Sequence, residues 1–133
     1  MVDSSLDGDK PFRVLVADDS SEIRELLFEA LSAIECGVTC VKDGLEALTS
    51  LQIGRCDLLI TDYEMPRLDG LALLRRLRTG NCCPPSILIT GRISLDLIQE
   101  VKQMGAIFVL HKPVAISHLL SLVKTIRAQQ PEG

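Results

Sequence analysis

The chain has 133 residues, 47% of them hydrophobic, a length and composition that fit one compact domain and argue against a disordered chain. Its 14 basic and 18 acidic residues leave a net charge of -4, which gives no general attraction to nucleic acid or to an anionic membrane. The longest purely apolar run, residues 106–110, is far below the ~20 needed to span a bilayer, and no secretory signal is legible, so a cytoplasmic protein is expected.

In chain order, residues 1–10 carry three Asp, two Ser and a Gly and are expected to form a flexible tail. The domain is expected over 11–128, with a second polar tail at 129–133. From Arg13 onward one pattern recurs five times: a short β-branched run, a loop, then apolar residues at helical spacing. The runs at 14–17, 38–41, 58–61, 87–90 and 106–110 predict buried strands. After the first run, Ile23, Leu26, Leu27, Ala30, Leu31 and Ile34 recur every three or four residues and predict a helix whose apolar face covers a sheet. Further helices are predicted over 45–51, 71–77, 95–104 and 116–126, with Gly54, Gly80 and Gly105 as their exits. The last shows Ile116, Leu119, Leu120, Val123 and Ile126 as its core face, with Leu122 at the margin. The intervals between strands are too long for hairpins and each holds one helical pattern, so right-handed crossovers and a parallel sheet follow. The expected class is α/β, a doubly wound three-layer sandwich with strand order 2-1-3-4-5.

Sheets of this kind hold ligands beyond the carboxyl ends of the strands, where the strand order reverses. Strand one runs into Asp18 and Asp19, strand three into Asp62, strand four ends in Thr90, and strand five leads to Lys112 and Pro113. Taken singly, each has an ordinary explanation: acidic residues suit a helix N-terminus, Asp62 can open a turn, Thr90 suits a strand and Lys112 suits solvent. Together, four of the five strands deliver a polar group to one edge of an otherwise apolar sheet. Three carboxylates within ~4 Å repel by about 4 kcal/mol per pair at an effective dielectric near 20, and a cation is the simplest relief. Oxygen ligands without a converging histidine or cysteine favour a hard ion such as Mg²⁺. Phosphoryl transfer fits, with Asp62 as nucleophile, Lys112 neutralising the phosphoryl oxygens and Thr90 hydrogen-bonding the bound group. The five cysteines, Cys36, Cys40, Cys56, Cys82 and Cys83, lack a second spaced Cys or His pair to close a zinc site and are expected to be ordinary thiols. His111 and His118 have no evident catalytic partner and are expected at the surface.

The acidic pair in VLVADDS, the Asp in LLITDYEMPRLDG, the Thr in ILITG and the Lys-Pro pair in FVLHKP resemble the response regulator receiver family of two-component signalling, from about Arg13 to Arg127. The resemblance implies a flavodoxin-like fold like that of the chemotaxis regulators. It implies that Asp62 takes a phosphoryl group from a phosphohistidine of a histidine kinase or phosphotransfer protein. Such a protein is a phosphoacceptor signalling domain whose only catalysis is its own phosphorylation and dephosphorylation, and not a conventional enzyme. By the same resemblance Asp19 and Asp62 bind Mg²⁺ directly, Asp18 acts through a metal-bound water, and the Glu64 backbone carbonyl completes the protein ligands. Lys112 would contact the phosphate, Thr90 would move toward it, and the Lys112–Pro113 bond would be cis. The outer surface of the last helix, with strand five and the preceding helix, resembles the face by which receivers dimerise or meet a downstream effector.

Two positions tune that pattern. Where the family usually has an aromatic three residues before the lysine, this chain has Val109, while Phe108 comes one residue early and strand alternation turns it to the other face. Any phosphorylation signal is therefore expected to rely on Thr90 and the following loop, or on dimer contacts. Glu64 and Arg92 stand where the family flanks the path of water to the phosphoryl group, and they are expected to pair across the site or, for Glu64, to approach Mg²⁺ through water. Two other functions compete: a phosphorylation-independent interaction domain on the same scaffold, and an aspartate-nucleophile phosphohydrolase using Asp62-x-Glu64. The phosphohydrolase is disfavoured by motif order, since such enzymes place the nucleophile first and the acidic pair last, and by the lack of length for a substrate cap.

Overall fold

A computed structural model of the chain describes residues 11–81 and 83–130. The tail expected at 1–10, residues 131–133 of the tail expected at 129–133, and Cys82 lie outside the described residues, while Gln129 caps the last helix. Five strands, β1 (Phe12–Ala17), β2 (Cys36–Val41), β3 (Leu58–Asp62), β4 (Ser86–Thr90) and β5 (Ile107–His111), form one sheet in the order β2-β1-β3-β4-β5. Every neighbouring pair is parallel. The crossovers are helices α1 (Ser21–Ala33), α2 (Gly44–Ile53), α3 (Gly70–Thr79) and α4 (Leu95–Met104), and α5 (Ile116–Ala128) closes the chain. The fold is thus the flavodoxin-like doubly wound sandwich, with the strand order reversing between β1 and β3.

Local sequence sets where the helices start. Ser20, Asp43, Asp69 and Ser94 stand at the N-caps of α1 to α4, and each side chain accepts a backbone N–H from the first turn. These are the residue types with a short oxygen in reach of an unpaired helix N–H, worth about 1 kcal/mol per cap. Helix α5 begins from Ala115 without a side-chain cap. Strand alternation then sorts the apolar residues into two layers. Val14, Val16, Leu58, Ile60, Ile87 and Ile89 face Leu27 and Leu31 of α1 and Leu119, Val123 and Ile126 of α5. On the other side, Leu15, Leu59 and Leu88 meet Ala47 of α2, Leu73, Leu74 and Leu77 of α3, and Leu97 and Val101 of α4. Burying each of these larger side chains stabilises the fold by roughly 2 kcal/mol.

Three expectations are adjusted. Strands β1 and β2 begin two residues before their apolar runs, because the ladder extends back through Phe12 with Cys36 and Arg13 with Gly37. On α1 the apolar stripe is wider than its contact with the sheet: Leu27 and Leu31 are buried, whereas Ile23 is 40% and Leu26 47% exposed. Leu26 lies about 100° around the helix from Leu27, so both cannot point at one sheet face. Strand β5 runs one residue later than its apolar pattern, after Gly105 turns the chain at φ 102, a left-handed conformation suited to glycine. Along that strand Ile107 and Val109 pack on the α2, α3 and α4 side, Leu110 packs on the opposite side, and Phe108 is 40% exposed. Among the described residues no helix is long and apolar enough to cross a membrane.

Candidate functional site

Strands β1 and β3 flank the switch point, and their carboxyl ends bring Asp18, Asp19 and Asp62 together. One carboxylate oxygen from each lies within 4.8 Å of the other two. Asp18 and Asp62 are buried and Asp19 is exposed, so the cluster opens to solvent on one side. Asp18 is held at three points: its N–H donates to the Val41 carbonyl at 3.1 Å, its Oδ1 accepts the Ser20 N–H at 2.9 Å, and its carbonyl accepts from the Arg24 guanidinium at 2.7 Å. Burial pushes the Asp18 carboxyl above its ordinary value; the Ser20 N–H opposes this and the charge of Asp62 adds to it.

Asp62 ends a fully buried strand, yet its Oδ1 has no aligned hydrogen-bond donor among the described residues. Lys112 Nζ approaches that oxygen at 2.7 Å as an ion pair. Contact with Asp62 raises the Lys112 ammonium above its usual value against the opposing effect of burial, and the charges of Asp18 and Glu64 contribute in the same direction. Lys112 therefore stays protonated at neutral pH. The Lys112–Pro113 bond that follows β5 is cis.

The polar residues around the cluster divide into those that point into it and those occupied elsewhere. The Thr90 hydroxyl accepts the Arg92 N–H at 3.1 Å and donates to the Arg92 carbonyl at 3.0 Å, so it is satisfied within its own turn. Val109 packs beneath the α2, α3 and α4 layer with Leu88 and Val101. The pairing expected of Glu64 with Arg92 is not formed: among the described residues no ion pair joins them, both are exposed, and the charge of Glu64 acts on Lys112 instead. Both side chains lie in solvent, and no burial forces the arginine inward. His111 and His118 are exposed. An open depression of about 520 Å³ beside the carboxylates is lined by Asp19, Tyr63, Glu64, Met65, Pro66 and Asp69.

Sequence reasoning missed a second charged group near this edge. Asp43, past the end of β2, has a side chain only 3% exposed, and its Oδ2 accepts from Arg67 Nε at 2.9 Å and from the adjacent guanidinium nitrogen at 2.7 Å. Burial pushes this carboxyl up, but the Glu46 N–H and the Arg67 guanidinium outweigh it and hold it below the usual range. An Asp followed by Gly and, three residues on, by Glu46 is a helix-start signal that marks Asp43 as a cap. Nothing local in the sequence points to Arg67, which arrives from the loop after β3. Gly70 was likewise not singled out: a Cβ there would lie 2.2 Å from the Asp62 carbonyl oxygen, so the first turn of α3 presses directly on the backbone of Asp62.

The donor set suits a hard divalent cation. It is all oxygen, it converges, and its two buried members, Asp18 and Asp62, face a single ammonium, that of Lys112 at 2.7 Å from Asp62. A doubly wound sheet with such a crevice is the architecture of a receiver, the signalling domain of two-component systems. The sequence model of the response regulator receiver domain matches residues 14–124, and the chain belongs to that family. It is 36% identical over 125 residues to the response regulator MprA of Mycobacterium sp. strain KMS, covering 92% of this chain and 54% of that protein. The chain thus spans about half the length of the curated relatives it matches. Among solved structures, a Francisella response regulator receiver domain superposes with a TM-score of 0.83 at 31% identity, over 90% of this chain and 98% of that one. The chemotaxis response regulator CheY4 of Vibrio cholerae gives 0.79 at 30% identity, over 88% and 99% of the two chains. Receivers bind Mg²⁺ at an acidic pocket, and they interact with histidine kinases and effectors as signalling domains.

Proposed function

We propose that this chain accepts a phosphoryl group on Asp62 from a phosphohistidine of a histidine kinase or phosphotransfer protein, and passes the signal on through a conformational or dimerisation change. The observation that carries this reading is the buried Asp62 carboxylate, crowded by Asp18 and Asp19 and met on Oδ1 by the Lys112 ammonium at 2.7 Å. A carboxylate oxygen of Asp62 attacks phosphorus, the phosphorus–nitrogen bond to the donor imidazole breaks, and the imidazole leaves with the bonding pair. Lys112 carries its positive charge at the carboxylate that reacts, where it offsets negative charge on the transferred oxygens. Asp19, Asp62, the Glu64 backbone carbonyl and, through water, Asp18 would hold Mg²⁺. The bound ion supplies charge neutralisation and orients the phosphoryl oxygens. The Ser20 N–H and the Arg24 guanidinium keep Asp18 turned toward the cluster.

Thr90 would release its turn to hydrogen-bond the phosphoryl group, and the α4, β5 and α5 face would meet a second copy or an effector. The receiver occupies 11–128 in this reading, and its work with a kinase is cytoplasmic. Intact mass after incubation with acetyl phosphate and Mg²⁺ tests it. The expected result is a Mg²⁺-dependent gain of one phosphoryl group that Asp62→Asn abolishes. A gain that persists in Asp62→Asn, or no gain with any donor, overturns it. A phosphorylation-independent interaction domain is the second reading, favoured by Val109 in the core and by the self-contained Thr90 turn.

A further inference from the structure

The loop that joins β3 to α3 runs from Tyr63 to Asp69 and carries Glu64, so its position decides whether a backbone carbonyl can join the carboxylates. Its start is fixed by the Tyr63 N–H on the Ile89 carbonyl at 2.8 Å, and its end by the Gly70 N–H on the Tyr63 carbonyl at 2.8 Å. Between them the chain makes a tight turn, with the Leu68 N–H on the Pro66 carbonyl at 2.7 Å and Arg67 at φ 69. A non-glycine residue in that conformation is held by its surroundings. Those surroundings belong to another element, the first turn of α2. There Arg67 sends two N–H groups to Asp43 Oδ2, and the Leu68 carbonyl rests so close to Gly44 that a Cβ would lie 2.2 Å from it. Asp43 divides its oxygens: Oδ1 caps α2 through the Glu46 N–H at 2.9 Å, and Oδ2 takes Arg67.

We propose that Asp43 and Arg67 are a positioning pair, in which the buried carboxylate and the half-exposed guanidinium dock the loop after β3 on the start of α2 and thereby set the Glu64 carbonyl for a divalent cation at Asp62. The inference rests on the reading of that site as a Mg²⁺ site. Neither residue touches the cation; both act through the loop. Outer groups that orient ligands typically change metal affinity by 10–100-fold.

Tyr63 is the only tyrosine and the chain has no tryptophan, so intrinsic fluorescence reports this loop alone. The experiment is a Mg²⁺ titration of Tyr63 emission in the full chain, for wild type, Arg67→Ala, and Arg67→Ala combined with Asp43→Asn. The double variant removes the carboxylate that the single one leaves unmatched, and its amide oxygen can still cap Glu46. Both variants are expected to need about tenfold more Mg²⁺ at the midpoint. Lys42→Ala, which breaks the exposed pair of Lys42 with Glu46 on the same turn, is expected to keep the wild-type midpoint. Phosphoryl uptake by the variants should slow at low Mg²⁺ and recover at saturating Mg²⁺. A double variant with the wild-type midpoint overturns the inference alone and leaves the pair as a stability device. A wild type that ignores Mg²⁺ overturns the reading of the acidic site, and the inference with it.

Discussion

Asp43 and Asp18 stand at the carboxyl ends of the neighbouring strands β2 and β1, both buried, and their surroundings treat a negative charge in opposite ways. At Asp43 the cost of burial is more than offset by the Glu46 N–H and the Arg67 guanidinium, and the carboxyl lies below its ordinary range. At Asp18 burial wins over the Ser20 N–H, the nearby charge of Asp62 adds to it, and the carboxyl lies above its ordinary range. Asp62, beside Asp18, shares its one ammonium, that of Lys112, with two further carboxylates within 4.8 Å. Burial by itself therefore does not mark a functional acid in this molecule. An acid that has its own capping N–H and its own guanidinium is scaffold, and buried acids crowded against one another are where chemistry can occur.

The strongest way to break this contrast is to disturb Asp62 from below. Gly70→Ala places a methyl against the Asp62 carbonyl, and we expect a loss of about 3 kcal/mol in urea unfolding, the upper end for overpacking a tight site. A loss no larger than that of Gly54→Ala, where a Cβ meets nothing within 4 Å, would show that α3 does not brace the site.

Asp43→Ala comes next, at about 2 kcal/mol, because it deletes a helix cap and a charge-assisted contact together. The sign with pH follows from the lowered carboxyl. The ionised form is favoured in the fold, so its contribution is complete above the unfolded-state value and disappears as pH falls through the still lower folded value. Thermal unfolding from neutral pH into acid should therefore be flatter in the variant than in wild type. Identical acid limbs would remove Asp43 from the account.

The smallest expected effect has the opposite sign. Asp18 has a raised carboxyl, so without Mg²⁺ its ionised form costs stability at neutral pH, and that cost fades as pH falls through the raised folded value and is gone below the unfolded one. Asp18→Asn, which keeps an oxygen for the Ser20 N–H, should raise the ion-free unfolding temperature at pH 7 by a few degrees. Saturating Mg²⁺ should reverse the ranking, since a ligand at a hundred times its Kd adds about 2.7 kcal/mol to the form that binds it. A variant that is less stable than wild type in EDTA would show that Asp18 is scaffold, like Asp43.

Much of this was legible in the linear chain. Short β-branched runs, Ser and Asp caps and helical spacing between them dictate alternating strands and helices, because each depends on neighbours within a few residues. Chain-crossing rules then leave few topologies, and the sheet has the order 2-1-3-4-5 expected from them. The same order places Asp18, Asp19, Asp62, Thr90 and Lys112 at one edge, since each directly follows or ends a strand. What the sequence did not reveal are relations between segments far apart in the chain. Arg67 meets Asp43, 24 residues earlier, and Ile23 and Leu26 carry a core pattern yet stay exposed because the sheet meets only one side of their helix. The expected link of Glu64 to Arg92 is not formed, because both side chains are exposed and nothing packed around them fixes their direction. Local pattern was enough to foresee the strands, the helices and the meeting of Asp18, Asp19 and Asp62 with Lys112. Which buried carboxylate is held below its ordinary range and which above it emerged with the fold, because that balance depends on donors and charges arriving from other parts of the chain.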